Sequence, residues 1–161
     1  MMEELNLSRL EPLSIAAKSL SDLNIISSLV QDSILRVGNV SWMPKSRRFA
    51  MLLDRFMWED EKNARIQKRP FQRIQSTLSF EGVLMVKSKN IEKFSDKTLM
   101  WLLTIEFPQG RDNSRKYLNL VFAKAGVISL EIEYIEVFLK DVSQPYISRV
   151  KNAPNHEDYH E

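Results

Sequence analysis

The sequence contains one set of residues with the spacing of a catalytic metal site. His156, Glu157 and His160 match the pattern H-E-x-x-H, in which two imidazoles one helical turn apart bind zinc and the glutamate acts as a base. Such a site also needs a rigid helix, a third protein ligand and a dry cleft. Here the pattern follows Pro154, its interior is polar, and the chain has no further histidine. We therefore predict no metal site.

Other catalytic groups lack the partners that their chemistry requires. The chain has no cysteine, and a serine nucleophile would find no histidine base outside residues 156–160. The four glycines stand singly, so the sequence forms no glycine-rich phosphate loop, and we expect no cofactor. Paired carboxylates from different elements could still meet in space, which leaves a carboxylate-based enzyme as an alternative. The candidate acids are Asp32, Asp54, Glu59, Glu106, Glu131 and Glu133.

One group of residues is suited to binding rather than to catalysis. Arg47 and Arg55 share the parity of one expected strand, and Trp58 and Glu59 follow directly. Arginine beside an aromatic ring and a carboxylate suits the recognition of an anion or of a partner's backbone. An internal Arg–Glu pair covering a tryptophan at the rim of the sheet is the alternative. We predict Arg47, Arg55, Trp58 and Glu59 as binding residues.

The same part of the chain is basic. Residues 45–73 contain nine bases and four acids, a net charge of +5, whereas the whole chain carries +2. A basic segment with interspersed aromatic residues could hold a phosphate backbone and stack bases, so nucleic-acid binding is an alternative function. A solvated charged surface is the simpler explanation, because no known nucleic-acid-binding motif accompanies the charge.

The elements that would position these residues are mostly strands. Hydrophobic spacing predicts one helix over residues 22–33, with Leu23, Ile26 and Val30 facing the core. Gly38 and Asn39 predict a two-residue hairpin turn between short strands. Residues 47–56 are apolar on both parities, as expected for a central strand. The nearly all-polar stretch 59–70 predicts a flexible loop.

Further strands are expected in the second half of the chain. Alternation over residues 73–87 predicts a strand too long for a domain of this size, so Gly82 should mark a bend or corner. Residues 98–107 and 117–123 predict two more strands, the first apolar on both faces. Over 127–142 the alternation changes phase near residues 134–135, which indicates a bulge. A short helix over 135–142 is the alternative.

Composition limits the class of protein. The chain has 161 residues, 43% of them apolar, a size and composition typical of one globular domain. We predict a single domain over residues 1–150 and a polar tail over 151–161. The chain begins with acidic residues, and its longest uncharged apolar run spans eight residues, 98–105, so we expect a cytoplasmic protein without a membrane span. The predicted fold is α+β: a mainly antiparallel, strongly curved sheet or partly open barrel of about eight strands, with one packed N-terminal helix.

Several segments resemble a bacterial family of unknown function, domain of unknown function family 2948. The resemblance is carried by residues 29–33, 44–50, 55–59, 78–83 and 103–107 and by the stretch 126–142, and it covers the chain from about residue 20 to residue 156. It implies a small, single-domain cytoplasmic bacterial protein. It implies no activity, cofactor or active-site residue.

Together these observations favour a non-enzymatic module that binds another protein. Nucleic-acid binding through residues 45–73 is the first alternative, and a carboxylate-based enzyme is the second. The sequence gives no indication of the oligomeric state.

Overall fold

Eleven strands form one antiparallel sheet in the computed structural model, which describes residues 11–91, 95–108, 114–149 and 153–154. In chain order the strands are β1 (Ser14–Ala17), β2 (Ser33–Arg36), β3 (Val40–Met43), β4 (Arg48–Phe56), β5 (Gln72–Phe80), β6 (Val83–Lys89), β7 (Leu99–Glu106), β8 (Lys116–Phe122), β9 (Val127–Ile132), β10 (Val137–Asp141) and β11 (Tyr146–Ile147). The helices are α1 (Leu20–Val30) and α2 (Trp58–Gln67). The mainly antiparallel α+β fold is confirmed, whereas the expected numbers of about eight strands and one helix are wrong.

The sheet curves back on itself without closing. Its order is β1-β10-β5-β4-β2-β7-β8-β9-β6, with β3 beside β4 and β11 beside β5. The last strand, β6, returns to the beginning of β4, where the backbone N–H of Val83 donates to the carbonyl of Arg47 at 2.9 Å. Within the described ranges no strand pairing joins β3 to β6, so the sheet is open between these two strands.

The core lies on the inner, concave face of the sheet. Alternate residues of the central strands point inward and are fully buried, including Leu53, Leu78, Leu102, Leu120, Leu130 and Leu139. Helix α1 lies across this face and adds Leu23, Ile26 and Val30 to the same apolar cluster, as the sequence predicts. Burial of this continuous apolar surface is the main stabilising contribution to the fold.

Helix α1 is shifted from its predicted position. It begins at Leu20, because the hydroxyl of Ser19 accepts a hydrogen bond from the N–H of Asp22 at 3.2 Å and caps the first turn. It ends at Val30, three residues before the predicted end at residue 33. Asp32 then adopts a left-handed conformation (φ 61°) and its N–H donates to the carbonyl of Leu102, which turns the chain into β2.

The predicted flexible loop over residues 59–70 is wrong, because α2 occupies most of it. This helix has no apolar stripe, and only Asp60 and Ala64 are buried. Three acids in its first turn complement the helix dipole. Lys68 ends the helix in a left-handed conformation, and the bidentate pair between Asp60 and Arg69, at 2.5 Å, ties the helix to the following chain. Polar contacts therefore hold α2 where hydrophobic periodicity is absent.

The predicted hairpin at Gly38 and Asn39 is also wrong. Val37–Asn39 forms a 3₁₀ turn, and the flanking strands do not pair with each other. Instead β2 pairs with β7 and, at one position, with β4, whereas β3 pairs with β4 alone. The N–H groups of Val37 and Gly38 donate to the carbonyls of Thr98 and Asp96, so the turn is held by the chain that enters β7.

The corner predicted at Gly82 is confirmed. Gly82 lies between β5 and β6 with a φ of 67°. Strand β5 lies between β10 and β4, whereas β6 pairs with β9 at the end of the strand order. The phase change near residues 134–135 is not a bulge within one strand. It is the connection between β9 and β10, which occupy distant places in the sheet. Of the two alternatives for residues 135–142, the strand is correct.

Substituting Gly82→Ala is expected to lower the free energy of unfolding by about 1–2 kcal/mol, the cost of a left-handed conformation for a residue with a Cβ atom. The new Cβ would also lie 2.7 Å from the ring of Tyr134, which must move. Gly126→Ala is the matched control, because its Cβ would meet no atom closer than 3.4 Å. Urea unfolding of both variants measures the difference, and equal effects would contradict the proposed strain at the corner.

Candidate functional site

Three of the four predicted binding residues lie together at the junction of β4 and α2. The guanidinium of Arg55 is fully buried and forms a bidentate ion pair with Glu59, at 2.8 and 2.9 Å. It also donates to the carboxylate of Asp141 at 3.1 and 3.2 Å and to the hydroxyl of Ser76 at 3.3 Å. Arg55 therefore directs its hydrogen bonds into the protein.

The Arg55 network connects distant parts of the chain. Ser76 on β5 donates to Asp141 on β10 at 2.6 Å, and the N–H of Leu13 donates to the same carboxylate at 2.9 Å. Burial lowers the pKa of Arg55, but the hydrogen bonds and charges of Glu59 and Asp141 outweigh this effect and raise the pKa above its ordinary value. The arginine is thus firmly charged, and its role in this arrangement is structural.

Trp58 and Glu59 complete this junction. The indole N–H of Trp58 donates to the carbonyl of Gln31 at 2.8 Å, and its ring packs edge-on against Phe56 with centroids 4.6 Å apart. The Glu59 side chain keeps 21% of its surface exposed. These contacts match the alternative weighed from the sequence, an Arg–Glu pair beside a tryptophan. Binding by Arg47, Arg55, Trp58 and Glu59 stays a prediction.

Arg47 lies apart from this group. It precedes β4 in a left-handed conformation (φ 53°), eight residues before Arg55, which corresponds to roughly 25 Å of extended chain. Its guanidinium pairs with Glu133 at 2.9 Å. The structure therefore does not bring Arg47 together with the other three residues. Arg47 is not part of β4, and its exposed side chain does not share the buried face of Arg55, so common parity in the sequence predicted neither the face nor the proximity.

Most bases of the segment 45–73 are bonded within the protein. Ion pairs join Arg47 to Glu133, Arg48 to Glu81, Arg55 to Glu59, Arg65 to Glu61 and Arg69 to Asp60. Arg73 donates to the carbonyl of Asp54 and lies over the ring of Phe56. Six of the nine bases thus have partners within the chain, and three of these, Arg47, Arg48 and Arg65, form their ion pairs at the surface with half or more of the side chain exposed.

The candidate carboxylates are distributed over several elements. Asp54 accepts a hydrogen bond from the hydroxyl of Tyr146, Glu59 from Arg55 and Glu133 from Arg47, and Glu131 pairs with Arg115. Burial and the hydrogen bond to Asp54 raise the pKa of Tyr146. In the ranges that the structure describes, no three acids or histidines are grouped so as to hold a metal ion. The pattern at residues 156–160 lies outside those ranges.

A different surface stands out on the outer, convex face of the sheet. Several of the side chains that alternate with the buried residues of β2, β4, β7 and β8 are apolar and only partly covered, whereas Arg36, Arg48, Asp54 and Asn119 on the same parity are polar. We call this set the outer patch; it consists of Ile34, Leu52, Leu99, Trp101, Leu103 and Val121. Ile34 is paired directly with Trp101, so the two side chains are neighbours on this face, and Leu99 is 47% exposed. Antiparallel sheets usually present a polar outer face to water, whereas this part of the outer face is apolar.

Two surface depressions border the outer patch. One, of about 460 Å³, is formed where β2 and β4 diverge, and Ile34, Leu52 and Leu99 line it together with Arg36 and Asp54. The other, of about 790 Å³, lies beside Leu99 and Trp101 at the turn between β8 and β9. Leu99 lines both depressions. The patch is therefore an uneven apolar surface, and Arg36, Lys124 and Asp54 are among the residues that line the depressions at its rim.

The sequence contains a signal for this surface, because residues 47–56 and 98–107 are apolar on both parities. The central position predicted for 47–56 is confirmed, since β4 lies between β5 and β2, and β7 lies between β2 and β8. One parity of each strand is buried and the other is only partly covered, because α1 covers the concave face alone.

Comparisons with known proteins add a family. A family model described as "Protein of unknown function (DUF2948)" matches residues 13–156, most of the chain. No curated protein and no solved structure matches the chain. Among the described residues, no helix has the length and apolar character needed to cross a membrane.

Proposed function

The chain belongs to the DUF2948 family of proteins of unknown function, and we propose that it is a protein-binding module whose docking surface is the outer patch. The observation that supports this most strongly is the partly exposed apolar face of β2, β4, β7 and β8. An exposed group of large apolar side chains costs solubility, and in monomeric proteins such groups commonly mark interaction sites. Leu99, with 47% of its surface exposed, lies between the two depressions and offers an anchor point.

The rim of the outer patch favours a protein partner over a nucleic acid. Arg36 is exposed at the end of β2, and Asp54 lies on the same face of β4. Protein interfaces typically combine an apolar centre with a polar rim of both charges. A phosphate backbone would require a predominantly positive surface, and five of the nine bases in residues 45–73 already form ion pairs with carboxylates of the same chain. We therefore favour a protein partner that buries apolar side chains against this sheet.

Replacing Leu99 and Leu103 with aspartate tests the proposal. In an affinity capture from nuclease-treated lysate of the native host, the wild-type chain should retain a specific protein that the L99D/L103D variant loses. With that protein purified, isothermal titration should show binding weakened about 30-fold or more, as expected when central apolar contacts of an interface are removed. Both positions are partly exposed, so the variant should keep its fold.

The matched control is Ile25→Asp, because Ile25 is 55% exposed on the solvent side of α1, away from the outer patch. This variant should bind within about twofold of wild type, as surface positions outside an interface do. Capture that depends on nucleic acid, or equal losses in I25D and L99D/L103D, would contradict the proposed docking surface.

A further inference from the structure

The open side of the sheet forms a second, separate surface. The N–H of Val83, the first residue of β6, donates to the carbonyl of Arg47, which lies in the turn between β3 and β4. Within the described residues β3 and β6 do not pair beyond this point. Between them lies a slot of about 320 Å³, which we call the seam. Its lining is almost entirely apolar and includes Val40, Trp42, Phe49, Val86, Met100 and Ile128. These residues face inward, so the seam is distinct from the outer patch.

Both walls of the seam are strand edges. In the described residues β3 pairs only with β4, and β6 pairs only with β9. The other edge of each strand faces the seam, and its backbone N–H and C=O groups have no neighbouring strand to bond with there. An edge of this kind is a template for a further strand, and many domains recognise extended peptides by adding one. The slot could also hold every second side chain of such a strand against its apolar lining, whereas a free strand edge without a slot would offer backbone hydrogen bonds alone.

The charge at the seam is positive. Lys45 lies in the 3₁₀ turn Pro44–Ser46 at the closed end, and Lys87 and Lys89 are exposed along β6. Among the described residues none of these three lysines forms an ion pair with an acid. Two of the acids at the corner are already paired, Glu81 with Arg48 and Glu133 with Arg47. A ligand at this edge would therefore gain from negative charge.

We propose that the seam binds an extended, acidic segment of a partner protein, which adds a strand along β6 and places its apolar side chains between β3 and β6. Backbone hydrogen bonds to the β6 edge give affinity, and the lysines select acidic residues at the positions that point away from the slot. This proposal is independent of the outer patch, because it concerns other residues and another kind of contact.

Selection from a displayed library of random dodecapeptides on the immobilised wild-type chain tests the seam. Enriched sequences should alternate apolar with acidic residues. A fluorescein-labelled synthetic peptide of the most enriched sequence should bind the K87E/K89E variant about tenfold or more weakly, because two attractive charges become repulsive. Raising the salt from about 50 to about 500 mM should weaken wild-type binding through screening.

The control variant K18E/K140E changes the net charge by the same amount on β10 and beside β1, at the other side of the sheet, and should leave binding within about twofold. L99D/L103D should also bind the peptide normally. Loss of binding in L99D/L103D would place the peptide on the outer patch and overturn the proposal. Enrichment of peptides without acids, or of none, would equally overturn it, and the lysines would then serve only to protect an exposed edge.

Discussion

Replacing Arg55 with methionine is expected to lower the free energy of unfolding by about 3–5 kcal/mol, the range observed when one partner of a buried ion pair is removed. The substitution leaves Asp141, whose side chain is 2% exposed, without its cation and removes the bidentate partner of Glu59. Water cannot compensate the Asp141 carboxylate at this depth. Urea unfolding, followed by tryptophan fluorescence, measures the loss.

Two further variants separate the buried network from ordinary surface charge. Glu61→Gln removes the exposed pair with Arg65 and should cost less than about 1 kcal/mol, since solvent screens that interaction. Combining Arg55→Met with Asp141→Asn should recover part of the loss, because the neutral amide needs no counter-charge. An Arg55→Met variant that unfolds at nearly the wild-type urea concentration would show that the network does not stabilise the fold.

Replacing Phe80 with alanine is expected to cost about 3–5 kcal/mol, as for other fully buried phenylalanines. Phe80 is 0% exposed at the end of β5, where it is paired with Phe49 on β4 and Val137 on β10. The rings of Phe80 and Phe49 lie 6.2 Å apart in a tilted arrangement. The cavity would open beside the corner at Gly82, where the sheet changes direction.

Phe138→Ala provides the matched comparison for Phe80→Ala. Phe138 is paired with Ser79, the neighbour of Phe80, but lies partly exposed on the outer face. The same chemical change should therefore cost about half as much or less, because less apolar surface is lost from the core. Differential scanning calorimetry of the two variants measures the contrast. Equal destabilisation would contradict the assignment of inner and outer faces.

Patterns of period two and local turn chemistry predicted much of the sheet, but strand pairing could not be obtained from them. The alternation over residues 73–87 and the glycine at its centre correctly gave two strands and a corner. The same kind of signal at Gly38 and Asn39 suggested a hairpin that does not exist. Backbone bonds from Val37 and Gly38 to residues nearly sixty positions later decide that turn. Such distant contacts leave no local trace in the sequence.

Helix α2 was missed because its stability does not come from hydrophobic periodicity. Its acidic first turn, the Glu61–Arg65 pair one turn apart and Pro70 beyond its end are helix signals, but they are weaker than an apolar stripe. The bidentate contact of Asp60 with Arg69 is a tertiary feature of the fold. Paired charged side chains therefore stabilise a helix in a segment whose lack of apolar residues predicts a loop.

In the candidate site too, contacts between residues close in sequence could be predicted, whereas contacts between distant residues could not. The sequence grouped Arg55, Trp58 and Glu59 correctly, because all three lie within five residues of one another. It could not show that Arg55 would also meet Asp141, 86 residues away, and so be fully buried. The outer patch was visible as apolar residues on both parities of two strands. Which parity would be covered depended on the position of α1.

The most direct test of the docking surface is cross-linking in the native host. A chain carrying p-benzoylphenylalanine in place of Leu103 should form, on irradiation, a discrete adduct with another protein that withstands nuclease treatment. The same photoreactive group in place of Ile25 should give none, since Ile25 lies on the solvent side of α1. The absence of an adduct at position 103, or identical adducts at both positions, would contradict the account of the outer patch as a protein-binding surface.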